Sequence, residues 1–191
     1  MRALSALLGP LVPAAAVFGV GVFVNTAGAR PQCSPSAAAL AAPAVPAALA
    51  PPAGATLAFR LRARGTQVYT CQGSNPPATY AWTLAHPDAD LYDAACAHVG
   101  AHFAGPTWKS NRDGSAVVAA KRAEAPAPVP GAVPWLLLGA RNTPGPGMFS
   151  GVTAVQRVDT EGGIAPAESC EASVAGSERA VPYSATYYFY K

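Results

Sequence analysis

From Thr56 to Arg62 apolar and polar residues alternate, which predicts a half-buried strand whose arginines face solvent. Gly65 interrupts the pattern, and Thr66 to Cys71 resumes it as a β-branched and aromatic run, so the two read as a hairpin. Thr79 to Leu84 sets Tyr80, Trp82 and Leu84 on one face at period two, a strand with a heavy core face that His86-Pro87-Asp88 ends. Leu91 to Gly100 has two readings. Asp90 caps a short helix through His98, or Leu91–Asp93 and Val99–Phe103 are strands around an Ala94-Ala95-Cys96 turn.

Asn111 to Ser115 contains Asp-Gly, which tolerates positive φ, and predicts a hairpin turn with Ser115 to Ala120 as the return strand. Ala123 to Pro134 reads as a Pro/Ala loop, and Trp135 to Ala140 as a central strand or one buried on both faces. A turn at Pro144 to Gly147, a strand over Phe149 to Val158, a turn at Glu161 to Gly163 and an aromatic strand over Tyr183 to Tyr190 complete the chain. The fold class is therefore all-β: an antiparallel barrel or sandwich of about eight strands with at most one short helix. Because the domain begins and ends in strands, closure into a barrel hides their edges and is preferred.

What precedes the strands has a different character. Met1-Arg2, the apolar run Ala3 to Val24 and Ala27-Gly28-Ala29 fit a signal peptide cleaved after residue 29. Membrane attachment is expected only if that segment is left uncleaved. Residues 30–55 are almost all Ala and Pro and read as a tether, leaving 56–191 as one β domain. Export places the protein in a secreted, periplasmic or cell-envelope setting. There the four cysteines, Cys33, Cys71, Cys96 and Cys170, form disulfides in one of three pairings. Cys71 with Cys170 is the expected pair, since each stands beside a strand end within the domain, and Cys33 with Cys96 would then tie the tail to it. Net charge is +3 with both signs interspersed, which leaves no basic footprint for nucleic acid.

Candidate chemistry is sparse. His98 and His102 share a face on a strand but stand about 13 Å apart at 3.3 Å per residue, too far for one metal ion. Nucleophile elbows, zinc-protease helices and a dinucleotide glycine fingerprint are all missing, so neither a catalytic set nor a cofactor is assigned. Trp82, Trp108 and Trp135, with Tyr80 and Tyr187, are the aromatics available to line a pocket for a sugar or apolar ligand. Trp108 leads them because Gly105-Pro106 sets it at a break in the strands. Arg157 turned inward would find a partner in Asp113. The candidate ligand site is thus His102, Trp108, Asp113 and Arg157.

Seven stretches carry a resemblance: Gly65 to Cys71, His102 to Trp108, Asp113-Gly114-Ser115, Trp135 to Leu138, Gln156-Arg157, Thr160 to Cys170, and Val181-Pro182-Tyr183 with Tyr188-Phe189-Tyr190. In that order they resemble the family catalogued as domain of unknown function 3455, found in exported bacterial and fungal proteins. Cys96 departs from it, standing where the family pattern has a Gly-like hairpin turn. That favours the strand reading of His98 to Phe103. The resemblance implies an exported domain and brings no activity. The functional expectation is a small-ligand or glycan binding, envelope-associated module. The alternatives are a hydrolase-like or other enzyme with His102 as base in a cleft, and a purely structural surface protein.

Overall fold

Alternation along the chain becomes inside and outside once the strands close. The computed structural model describes residues 39–74, 79–142 and 145–191, so the signal segment, Cys33 and its pairing with Cys96 lie outside the described residues. Eight antiparallel strands follow one another: β1 (Leu57–Ser74), β2 (Thr79–Tyr92), β3 (His98–Phe103), β4 (Thr107–Ser110), β5 (Ala116–Ala125), β6 (Trp135–Asn142), β7 (Ala154–Gly162) and β8 (Glu178–Tyr190). Each pairs with the next, and β8 returns to pair with β1, which closes the sheet into a barrel. Two short 3₁₀ turns, Ala47–Leu49 and Ala172–Val174, are the helical elements among the described residues.

Leu61, Ala63, Gln67 and Tyr69 of β1 point inward, as do Val155 and Arg157 of β7 and Tyr183, Ala185, Tyr187 and Phe189 of β8. Phe59, Phe149 and Phe189 fill the end of the barrel that carries the Asp113 turn, with ring centroids 4.7 to 5.7 Å apart. The opposite end, reached by Pro134 and Gly163, is polar.

Several expectations are corrected by this geometry. Gly65 does not break β1. It lies mid-strand, where a Cβ would run into the Asp88 carbonyl and Ala89, so glycine here permits close approach of β2. Pro87 does not end β2 either; it pairs with Gln67 at a height where β3 has not yet joined on the other side. Tyr80 and Leu84 are 37% and 46% exposed, so their face is not core. The β1–β2 hairpin there runs past β3, which pairs only with Ala89–Tyr92, and is held instead by the Cys71–Cys170 disulfide and a Trp82 Nε1–H bond of 2.8 Å to the Glu168 carbonyl. Closing a loop across 99 residues, the disulfide is worth on the order of 4–5 kcal/mol in the chain-entropy model.

Leu91 to Gly100 is two strands and a turn. The Asp93 carboxylate accepts the Ala95 and Ala97 N–H groups, and Cys96 takes φ 64°, the left-handed conformation glycine favours. His98 and His102 do not share a face: Val99 is an extra residue against Leu91/Tyr92, so His98 is exposed beside Asp90 while His102 faces the interior.

The strand Trp135–Asn142 is covered on both sides. Leu136 and Leu138 face the interior cluster, while Leu137 packs outside with Ala154, Val158, Tyr188 and Leu49. Leu49 belongs to the Ala/Pro segment read as a tether. Its end, from Val45 to Ala55, packs on the outer wall as a strap, and Leu49 is fully buried. Gln156 donates to the Leu49 carbonyl at 2.6 Å and accepts from the Tyr190 hydroxyl at 2.5 Å, which fixes the strap to β7 and β8.

Leu49→Ala is therefore expected to lower unfolding free energy by about 2–4 kcal/mol, as for a fully buried leucine. Urea denaturation measures this, and an unchanged midpoint would show that the strap contributes nothing to stability.

Candidate functional site

His102 on β3 and Trp108 on β4 are directly opposed across the hairpin. The tight Ala104–Pro106 connection, with Gly105 at φ 69°, brings both side chains onto the inner face. Their rings stack with centroids 4.5 Å apart and planes 6° apart, and Tyr187 meets both edge-on at 5.1 Å. Aromatic pairs favour these offset and edge contacts. The Tyr187 hydroxyl lies 3.2 Å from that of Tyr183, the next but one inward residue of β8.

The His102 Nδ1 is 2.9 Å from the Thr107 carbonyl oxygen. A carbonyl only accepts, so Nδ1 carries the proton and Nε2 holds the lone pair. Burial pushes the imidazole down to about 3; the Thr107 bond opposes this and the charge of Arg157 adds to it. The ring is neutral at physiological pH. Tyr187 and Tyr183 are raised, each chiefly by burial, so both remain phenols.

Arg157 is the inward neighbour of Tyr187 across the β7–β8 ladder and is 9% exposed. Its Nε and Nη2 donate to the Pro134 carbonyl at 3.1 and 2.8 Å, and the Tyr187 hydroxyl lies within its reach. No carboxylate pairs with it among the described residues, and the remaining segments contain no Asp or Glu. Glu124, the acidic group that feels its charge, is bonded to Lys121.

Gln67, on the same inner face of β1, is 1% exposed, and neither its amide nitrogen nor its oxygen has a partner. It sits against Gly163, where a Cβ would meet Tyr183, Gln67 and Val133. Tyr69 closes this end by donating to the Gly163 carbonyl at 2.7 Å. The Trp108 indole N–H is likewise buried and unpaired. Beside the cluster a surface groove of about 480 Å³ is lined by Glu124, Pro126, Val129, Pro130 and Pro134, the last being the residue whose carbonyl holds Arg157.

The structure thus brings His102, Trp108 and Arg157 together and leaves Asp113 out. Asp113 is exposed in the turn between β4 and β5, at the far end of the barrel. Its carboxylate accepts the Ser115 hydroxyl at 2.7 Å, the Met148 N–H at 2.8 Å and the Ser115 N–H at 3.0 Å, bonds that hold it well below the usual carboxylate range. It ties two turns together and is no partner for Arg157. Gln67 and Tyr183 are additions to the sequence-derived set. Gln67 has a legible signal, since it shares the inward parity of Leu61, Ala63 and Tyr69. Among the other tryptophans, Trp135 packs in the outer cluster and Trp82 lies under the Arg179 guanidinium on the projecting hairpin.

Residues 52–191 match the family described as Protein of unknown function (DUF3455), a span that takes in all eight strands. The chain belongs to this family. No curated protein and no solved structure matches it. The resemblance seen at Gly65 to Cys71 and His102 to Trp108 thus falls on the family's own barrel and on the strands that build the polar end.

Because the folded His102 titrates far below its ordinary 6.5, the unfolded chain binds the extra proton between those values. Its contribution to stability is complete above about pH 6.5 and falls as pH drops toward 3, by up to about 1.4 kcal/mol per pH unit. An NMR titration should show the His102 ring unchanged from pH 8 to 5, and His102→Phe should flatten the acid limb of stability against pH. A His102 midpoint near 6.5 would contradict the burial argument.

Proposed function

We propose that this chain is an exported barrel module that binds a small molecule at the polar end of its interior, with His102, Trp108 and Arg157 around the ligand. One observation carries the reading. Two fully buried side chains, Gln67 and Trp108, leave hydrogen-bonding groups unpaired in the same interior as a guanidinium without a counter-ion. Each unpaired buried polar atom costs about 1–3 kcal/mol, and a buried charge costs more. A ligand or bound water that supplied partners would recover that free energy. Export is supported by the Cys71–Cys170 disulfide, which persists in oxidising compartments, and by the leader at residues 1–29. Among the described residues no helix is long and apolar enough to cross a membrane.

An acid–base enzyme reading is less well supported. His102 keeps a lone pair on Nε2, but Asp113 lies at the other end and the stacked Trp108 covers one ring face. A structural reading suits the opposite end, where Phe59, Phe149 and Phe189 fill the space.

A thermal-shift screen of neutral, charged and glycan ligands tests the proposal. At least one chemical class is expected to raise the melting temperature by several degrees, and Trp108→Phe, which keeps the ring stack but removes the indole N–H, should reduce that shift. A screen in which no class of compound stabilises the oxidised protein would end the binding reading.

A further inference from the structure

We propose that the polar end of the barrel is a carboxylate site, with Arg157 as its cationic anchor and the Gln67 amide and Trp108 indole N–H as neutral donors around it. This rests on the small-molecule reading above and narrows it to a ligand class. Among the described residues Arg157 is the one buried Lys or Arg, and what it touches is neutral: the Pro134 carbonyl and the Tyr187 phenol. A single guanidinium balances a single negative charge and presents the planar fork that matches a carboxylate. A phosphate, with nearly two charges at neutral pH, would leave an excess inside the barrel. His102 does not supply the second cation, because its Nδ1 proton is committed to Thr107 and burial keeps the ring neutral.

Donors are also in surplus. Trp108 Nε1–H is a donor with nothing to bond, and the unpaired Gln67 amide adds two N–H donors beside one acceptor oxygen, so three donors stand against one acceptor atom. The side chains packed beside them, Trp108, Tyr187 and Tyr183, are aromatic, so an apolar or planar body suits the ligand while its oxygens meet the donors. Filling the site with apolar side chains would satisfy stability alone, since exchanging a buried ion for well-packed apolar groups is often neutral or stabilising. The Arg157 guanidinium and the idle Gln67 amide therefore point to an oxyanion that comes from outside the chain.

The test uses the full oxidised chain, ¹⁵N-labelled, titrated separately with benzoate, hexanoate, benzamide, hexanamide and inorganic phosphate. Benzoate or hexanoate should move the Trp108 indole and Gln67 amide resonances and raise the melting temperature, while the two amides and phosphate leave both in place. Arg157→Leu should fold and weaken carboxylate binding about tenfold or more, as for loss of a charge-assisted pair. The comparison of acid with amide on the wild-type chain does not depend on that variant folding. Amides binding as well as acids, phosphate matching them, or Arg157→Leu retaining full affinity would each end the carboxylate assignment and leave the wider binding reading standing. If the carboxylates do nothing while another class in the thermal-shift screen binds, the assignment falls alone; if every class fails, both fall.

Discussion

Pairing of β1 with β8 is the interaction on which the rest depends. It runs from Leu57 against Tyr190 to Thr70 against Glu178 and leaves no free edge between the ends of the sheet. Once these strands are joined, each residue's parity decides whether it faces the interior or the outer wall. On β8 one parity carries Tyr183, Ala185, Tyr187 and Phe189 inward, and the other carries Tyr188 and Tyr190 to the outer cluster. Such a continuous aromatic strand needs apolar surroundings on both faces. The barrel interior supplies one and the strap at Leu49 supplies the other.

That arrangement explains how a chain whose 51% apolar content is heavily alanine builds two packed layers. Small residues such as Ala63, Ala89, Ala119 and Ala185 line the inside beside a few large rings, so the strands close tightly around Trp108, Tyr187 and Phe189. Outside, Ala125 and Ala154 leave room for the strap to lie against the wall. Gln156 shows how the two layers are coupled. It stands on the outer face of β7 and is bonded to both Leu49 and Tyr190, while its neighbour Arg157 turns inward to Tyr187. Adjacent positions on one strand thus hold the outer cover and the inner polar end.

Strand positions were legible because period-two alternation survives wherever one face is buried, as at Leu57 to Arg62 and Tyr183 to Tyr190. The Cys71–Cys170 pairing was legible too, since both cysteines flank strand ends in the same domain. What alternation does not carry is the effect of an inserted residue. Val99 turns His98 and His102 to opposite sides of the wall, and nothing in the local composition marks it as a bulge. Nor does it show where a partner strand stops. Tyr80, Trp82 and Leu84 have the pattern of a core face, but the hairpin that bears them runs past β3 and meets a loop instead. For the candidate site, Arg157 does turn inward, but its supposed link to Asp113 required knowing which turns share an end of the barrel. An Ala/Pro segment gives no signal of docking beyond an isolated leucine, which is why the strap was unreadable.

The interior is divided by chemistry along its axis, and the division has a physical consequence. At the Asp113 end, phenyl rings pack stacked and edge-on, and the buried Ser110 and Ser115 hydroxyls are satisfied within the turns. At the Pro134 end, Gln67, His102, Arg157 and two tyrosine hydroxyls are buried together: His102 bonds the Thr107 carbonyl, Arg157 the Pro134 carbonyl, the two hydroxyls each other, and Gln67 nothing. A barrel of eight strands is just wide enough for side chains to fill, and the phenyl end demonstrates that this one can be filled with apolar groups. The polar end carries a desolvation cost of several kcal/mol for the guanidinium alone. The polar residues are also fixed in place: His102 by Thr107, Arg157 by Pro134 and Tyr69 by Gly163. The backbone thus holds this end in one arrangement, and a ligand of the kind proposed above would meet side chains whose ordering is already complete.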